Sequence, residues 1–255
     1  MVEKNLGAGR FRDKVVVITG AAGDIGAATA RRFAQEGARV VITDVPAMMG
    51  RAAALAPACA ADGASDVLAM HCDVSRESDV SAVAGTAMAR FGRIDVLVYV
   101  AGFMLFRPLK DFTTEEWRRL MDVNFMGAVY FTREALRLMK PGSAIVNISS
   151  IHAFQTSPMV APYAAAKAAM LSLTRSTAIE GRALGIRANA VAPGAIDTQM
   201  LRSSPNMISG EEQVPEGMLG RPEDVASVVA FLASTDAAFM TGSVVTADGG
   251  RMALL

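Results

Sequence analysis

Tyr163 and Lys167 stand one helical turn apart in the run Tyr163-Ala164-Ala165-Ala166-Lys167. The alanines favour a helix, and the i, i+4 spacing puts both side chains on one face. An unassisted phenol has a pKa of about 10 and is a poor base at neutral pH. A nearby ammonium stabilises the phenolate and lowers that pKa. The pair therefore predicts proton exchange with an oxygen-bearing carbon, Tyr163 being the acid or base. Ser150, upstream at the end of an apolar run, is placed to hydrogen-bond the same oxygen. The spacing alone does not define a site, because many surface helices carry a Tyr and a Lys one turn apart.

A second signal lies near the start of the chain. Thr19-Gly20-Ala21-Ala22-Gly23-Asp24-Ile25-Gly26 follows the β-branched run Val15 to Ile18 and precedes a helical pattern. A glycine-rich turn at a helix N-terminus offers N–H groups and a favourable dipole to a pyrophosphate. Asp44 ends the next apolar run, where a dinucleotide fold places an acid on the adenosine ribose hydroxyls. An acid there repels a 2′-phosphate, and Gly23, Thr43 and Val45 supply no cation to attract one. NAD is expected over NADP. The alternatives are a purely structural turn, and an Asp44 that only caps a helix begun by Pro46.

Seven short apolar runs must position these groups: Val15 to Ile18, Arg39 to Thr43, Val67 to Cys72, Ile94 to Val100, Ala144 to Ile148, Ile186 to Val191, and Ser243 to Thr246. Helical periodicity lies between them, with glycine stops at Gly37 and Gly92 and longer segments over roughly Thr114 to Met139 and Ala161 to Leu184. Apolar strands alternating with helices predict a parallel sheet covered on both faces. Right-handed crossovers make it a doubly wound α/β domain of the Rossmann type. Residues 1–255 read as one domain, with 1–13 as an N-terminal extension and 199–220 as a substrate loop or lid. The least regular part, Ser203 to Gly220, holds Pro205, Gly210, Pro215 and Gly217.

Composition narrows the partners. Of 255 residues, 52% are apolar, and 25 basic residues balance 25 acidic ones. A net charge of zero argues against nucleic acid or an anionic membrane surface. The uncharged run Val96 to Phe106 is too short to span a bilayer, and Met1 to Lys14 lacks the apolar core of a signal peptide. Cys59 and Cys72 make no disulfide framework, and His71 and His152 give no metal-ligand spacing. A cytoplasmic protein with a small-molecule substrate and no metal is expected.

The ordered set Thr19-Gly20 with Gly26, Asp73-Val74, Ala101-Gly102, Val123-Asn124, Ser150, Tyr163-x-x-x-Lys167, Pro193-Gly194-x-Ile196-x-Thr198 and Asp248-Gly249-Gly250 resembles the classical short-chain dehydrogenase/reductase family from about Lys14 to Gly250. The resemblance implies a catalytic tetrad of Asn124, Ser150, Tyr163 and Lys167. Lys167 would bind the nicotinamide ribose and lower the Tyr163 pKa, and Asn124 would hold a water leading protons to solvent. It also implies cofactor contacts at Gly20, Ala22, Gly23, Asp24, Ile25, Asp44, Asp73, Val74, Ala101, Gly102, Tyr163, Lys167, Pro193, Gly194, Ile196 and Thr198. Pairing of the two long helical segments across a four-helix interface implies a homotetramer.

Two features depart from the family pattern. Asp24 stands at the middle glycine of the first turn, where a helix cap with its carboxylate turned to solvent is expected. Tyr99 and Val100 replace two asparagines before Ala101-Gly102; Tyr99 is expected to fill core space rather than pack beside adenine. Segments rich in Phe and Met, Phe103 to Phe106, His152 to Met159 and Met200 to Met218, are expected to face the substrate, with Phe103, His152 and Met200 as contacts. They suit a moderately apolar ketone or secondary alcohol. The competing readings are an NADPH-dependent 3-oxoacyl-thioester reductase, which would want a basic surface patch, and a non-catalytic dinucleotide sensor.

Overall fold

Every residue of Val15–Thr19 is buried, as a central parallel strand with both faces covered requires. In the computed structural model, which describes residues 9–211 and 213–253, the chain runs β1 (Val15–Thr19), α1 (Asp24–Gln35), β2 (Arg39–Asp44), α2 (Met49–Asp62), β3 (Asp66–His71), α3 (Glu77–Phe91), β4 (Val96–Tyr99), α4 (Thr114–Met121), α5 (Gly127–Leu138), β5 (Ala144–Ile148), α6 (Ala161–Gly181), β6 (Arg187–Pro193), α7 (Gln199–Arg202), α8 (Pro205–Ser209), α9 (Pro222–Ala233) and β7 (Val244–Ala247). The strands form one sheet in the order β3-β2-β1-β4-β5-β6-β7, with every pairing parallel. This is the doubly wound single domain expected.

Strand alternation splits the core in two. Val16, Ile18, Val40, Ile42, Val98 and Val146 pack under α1, α2 and α9. Val15, Val17, Val41, Leu97, Tyr99 and Ile145 pack under α3, α5 and α6. The strand order reverses between β1 and β4, so the loops after these strands diverge and open a crevice. That crevice lies at the C-terminal strand ends, where Gly20, Asp44, Gly102, Ser150 and Pro193 all sit.

Four differences from the sequence reading have physical causes. Helices α2 and α9 escape the periodicity. In α2, Ala-rich composition blurs the apolar stripe, leaving Ala52, Leu55 and Cys59 as its buried face, and Pro57 lies inside it. The segment expected as one helix from Thr114 to Met139 is interrupted by a π-helical turn at Asp122–Met126. The Ser203 to Gly220 stretch is not all loop, since Pro205 opens α8, which stops at Gly210 with φ +76°. Residues 1–8 of the expected N-terminal extension lie outside the described residues, but its end belongs to the fold. Phe11 is buried edge-on against Phe33 at 4.6 Å. Arg10 pairs with the buried Glu36, which Arg32 also holds. A carboxylate out of water needs such partners.

Candidate active site

The first turn is built by close approach. Gly20 has φ +61°, and a Cβ on it would lie 2.8 Å from the Ala101 Cα. A Cβ on Gly26 would lie 2.1 Å from the Gly20 carbonyl oxygen. Thr19 Oγ1 accepts the N–H groups of Val100 and Ala101 at 3.0 and 3.1 Å, which ties the ends of β1 and β4 together. At the end of β2, Asp44 Oδ2 accepts the Ala22 N–H at 2.9 Å and Oδ1 accepts the Val45 N–H at 2.8 Å. Ala22, expected to face a cofactor, is instead buried and serves to aim Asp44.

These groups wall a groove of about 620 Å³ lined by Gly20, Gly23, Asp24, Ile25, Asp44, Asp73, Val74, Ala101 and Gly102. Asp73 Oδ1 accepts both the N–H and the hydroxyl of Ser75, fixing the turn after β3. The groove shares Ile25, Val100, Gly102, Thr198 and Met200 with a second, smaller cavity of about 140 Å³. Ser150, His152, Tyr163, Lys167, Pro193, Gly194 and Ile196 line that cavity. The ends of β5 and β6 and helix α6 thus bring Ser150, Tyr163 and Lys167 together with the residues expected for the nicotinamide. Thr198 also caps α7, its Oγ1 accepting the Leu201 N–H.

Tyr163 and Lys167 are both buried on α6. Burial pushes the Tyr163 phenol up to about 12, with the hydrogen-bonded Ser150 hydroxyl pulling the other way. Desolvation brings the Lys167 ammonium down to about 7. Lys167 Nζ donates to the Ile148 carbonyl at 2.9 Å and lies 5.5 Å from the Tyr163 ring centre. Burial is the larger influence on the phenol, and the Lys167 Nζ is engaged by a backbone carbonyl. Asn124 lies behind Gly102, fully buried. Its Nδ2 donates to the carbonyls of Phe103 and Leu120, and its Oδ1 has no hydrogen-bond partner.

Asp24 does not cap α1. Gly23 holds the cap position, and Asp24 is the first helical residue. Its Oδ2 accepts the Gln199 N–H at 2.6 Å, and its Oδ1 pairs with Arg51 at 3.3 Å. The carboxylate stays partly exposed, with both oxygens partnered and neither on the turn's own N–H groups, which offsets its charge beside the turn. Phe103 also differs from expectation: it faces the larger groove under the Arg119 guanidinium, 5.2 Å from its ring, while Met104 and Phe106 line the smaller cavity. Met200 reaches both. His152 lines the smaller cavity, its Nδ1 3.1 Å from Thr156 Oγ1 and its ring edge-on to Tyr163. Ser204 and Asn206, inside the Met200 to Met218 segment expected to face the substrate, join the wall, as does Arg251, which no expectation covered. No local pattern marks Arg251, since tertiary folding of the C-terminal segment brings it there. Among the described residues, no cluster of His, Cys, Asp or Glu could hold a metal and no helix is long and apolar enough to cross a membrane.

A strand-switch crevice with a glycine turn, an acid on the second strand and a Ser-Tyr-Lys cavity defines a dinucleotide-binding oxidoreductase fold. A family model described as enoyl-(acyl carrier protein) reductase matches residues 20–251. Cis-4-hydroxycyclohexanecarboxylate dehydrogenase of Sinomonas cyclohexanicum is 40% identical, covering 96% of this chain and 98% of the relative. NADP-dependent (R)-specific alcohol dehydrogenase of Lentilactobacillus kefiri is 35% identical over 96% of this chain and 98% of its own. The crystal structure of a dehydrogenase/reductase from Sinorhizobium meliloti 1021 superposes with a TM-score of 0.90 at 32% identity, covering 96% of this chain and 97% of that one. The chain belongs to the short-chain dehydrogenase/reductase family of oxidoreductases.

The contact at Gly26 makes a direct test of the turn. Gly26→Ala has to displace the Gly20 carbonyl, and overpacking of this kind costs about 1–3 kcal/mol. The variant is expected to bind a reduced nicotinamide dinucleotide at least about tenfold more weakly, measured by titrating nicotinamide fluorescence. Wild-type affinity would show that the turn does not contact the dinucleotide.

Proposed function

We propose that the protein is an NAD(H)-dependent oxidoreductase that interconverts a secondary alcohol and its ketone, with Tyr163 as the acid/base. The observation that carries this reading is the convergence of Ser150, Tyr163 and Lys167 on one small cavity that opens into the groove walled by Asp44. A bound dinucleotide supplies or takes up the hydride, and its oxidised ring brings the positive charge that phenolate formation needs. In ketone reduction, Tyr163 gives its proton to the carbonyl oxygen, and Ser150 orients that oxygen by hydrogen bonding. With a pKa pushed up to about 12, the phenol is protonated at neutral pH, the form this direction requires. Lys167, brought down to about 7, is suited to exchange protons at neutral pH on the same face of α6. Asn124 Oδ1, buried and unpartnered, is the group to hold a relay water between Lys167 and solvent.

Asp44 supports NAD. Two backbone N–H groups fix its carboxylate against the groove wall, where it can accept from ribose hydroxyls and repels a 2′-phosphate. One relative is named as NADP-dependent, so membership of the family does not itself decide the dinucleotide, and the reading for NAD rests on this carboxylate. A charged hydrogen bond is worth about 1.5–3 kcal/mol. Asp44→Ala is therefore expected to cut discrimination between NADH and NADPH by about tenfold to a hundredfold. The measurement is kcat/KM for both cofactors across a panel of cyclic and linear ketones. Unchanged discrimination would exclude Asp44 as the determinant.

The Met- and Phe-lined cavity, with Met104, Phe106 and Met200, suits a moderately apolar skeleton, and the relative named for a hydroxycyclohexanecarboxylate supports a secondary alcohol as the reacting group. Asp44 and the balanced charge speak against the acyl-thioester reading, and the complete Ser150-Tyr163-Lys167 set against a non-catalytic sensor.

A further inference from the structure

Tyr99 occupies a position where the family pattern places an asparagine, and its side chain does more than fill the core. It is completely buried at the end of β4, and its hydroxyl donates to the Val123 carbonyl at 2.5 Å. The helix is wound with one extra residue there: the Gly127 N–H, which in a regular α-helix would bond Val123, bonds the Asp122 carbonyl instead. The part-buried Val123 carbonyl loses that donor and takes the phenol O–H. Burial of Tyr99 against Phe131, ring centres 6.2 Å apart, holds the phenol in place to be that donor.

Gly127 completes the arrangement. A Cβ on it would lie 2.3 Å from the Tyr99 hydroxyl oxygen and 2.9 Å from Val74 atoms. Only glycine lets the phenol pass to the Val123 carbonyl. The residue after Val123 is Asn124, whose Nδ2 is anchored to Leu120 and Phe103 and whose Oδ1 stands beside Gly102. A Cβ on Gly102 would lie 2.6 Å from that oxygen and 3.4 Å from Lys167 Nζ. Contact runs from Tyr99 through the π-helical turn to Asn124, whose Oδ1 stands against Gly102 on the side that the lysine Nζ also faces.

We propose that Tyr99 is a positioning residue: its hydrogen bond to Val123, admitted by Gly127, holds the π-helical turn that presents Asn124 to Lys167. The proposal rests on the oxidoreductase reading above. Tyr99→Phe keeps the ring and its packing and removes only the donor. Three results are expected. The variant's kcat falls about tenfold, the order that loss of one buried hydrogen bond carries, while KM for the ketone and Kd for NADH stay within about twofold. Amide exchange across residues 120–127 quickens, with the rest of the chain unchanged. In an Asn124→Ala background, Tyr99→Phe costs no further kcat, because both act through one group. Gly127→Ala, whose Cβ meets both the phenol and Val74, should lower kcat at least as far and weaken NADH binding as well.

An equal loss of kcat with and without Asn124 would overturn the proposal, as would a parallel loss of kcat, NADH affinity and thermal stability, which marks a general packing role. Wild-type protein that turns over no ketone or alcohol with either dinucleotide would overturn the underlying reading and this proposal with it. Normal turnover in Tyr99→Phe would overturn this proposal alone.

Discussion

Tyr163→Phe is expected to lower kcat by about 10²- to 10⁴-fold, the range that general acid–base catalysis contributes, with NADH affinity unchanged. The phenyl ring keeps its place on α6 and its edge-on contact with His152, so the cavity retains its shape. What is lost is the proton delivered to the substrate oxygen and the hydrogen bond with Ser150. The pH dependence has a definite sign. Ketone reduction needs the protonated phenol and should hold up towards low pH. Alcohol oxidation needs the phenolate and should rise with pH, because burial holds the phenol well above its ordinary value. Both limbs should vanish from the residual activity of the variant. Rates within about threefold of wild type would remove Tyr163 from the chemistry.

Lys167→Met should lose activity on a similar scale while changing stability in the opposite sense. The ammonium is buried, and desolvation takes it from an ordinary 10.5 to about 7. Above about pH 10.5 lysine is neutral in both folded and unfolded chains, and burial of its charge costs nothing. Between about 7 and 10.5 the unfolded chain binds the proton and the folded chain does not, so wild-type stability rises with pH. Below about 7 the lysine is charged in both states and the full penalty, on the order of a few kcal/mol, is present. Methionine has the length and apolar character to fill the site without that penalty. It leaves the Ile148 carbonyl short of one donor, which costs about 1–3 kcal/mol at every pH. The stability of the variant relative to wild type should therefore be greatest near pH 6 and decline by pH 10. Urea unfolding at both pH values measures it. A pH-independent difference would mean that Lys167 keeps its ordinary pKa in the folded chain.

The strands and the reactive groups were legible in the sequence because their signals are local. β-Branched runs fixed the strands, and Gly20, Asp44, Ser150 and Pro193 are strand-end residues whose places follow once a parallel sheet is accepted. Asn124 was recognised by resemblance only, since the π-helical turn that displays it has no composition signal: its winding depends on a tyrosine from β4. The electrostatics of the Tyr163-Lys167 pair are not legible in the sequence for a related reason. Spacing says that the two groups are neighbours, but the depth of burial and the claim of the Ile148 carbonyl on the ammonium arise from packing. Asp24 was misplaced because its partners, Gln199 and Arg51, are distant in sequence.

That aspartate has a mechanical consequence. Its two oxygens span from the glycine turn to the head of α7 and to α2, across the groove that a dinucleotide would occupy. The start of α1, the head of α7 and α2, which are far apart in sequence, are thereby tied to one another by a single side chain. A glycine at this position would supply neither bond and would leave the three segments untied.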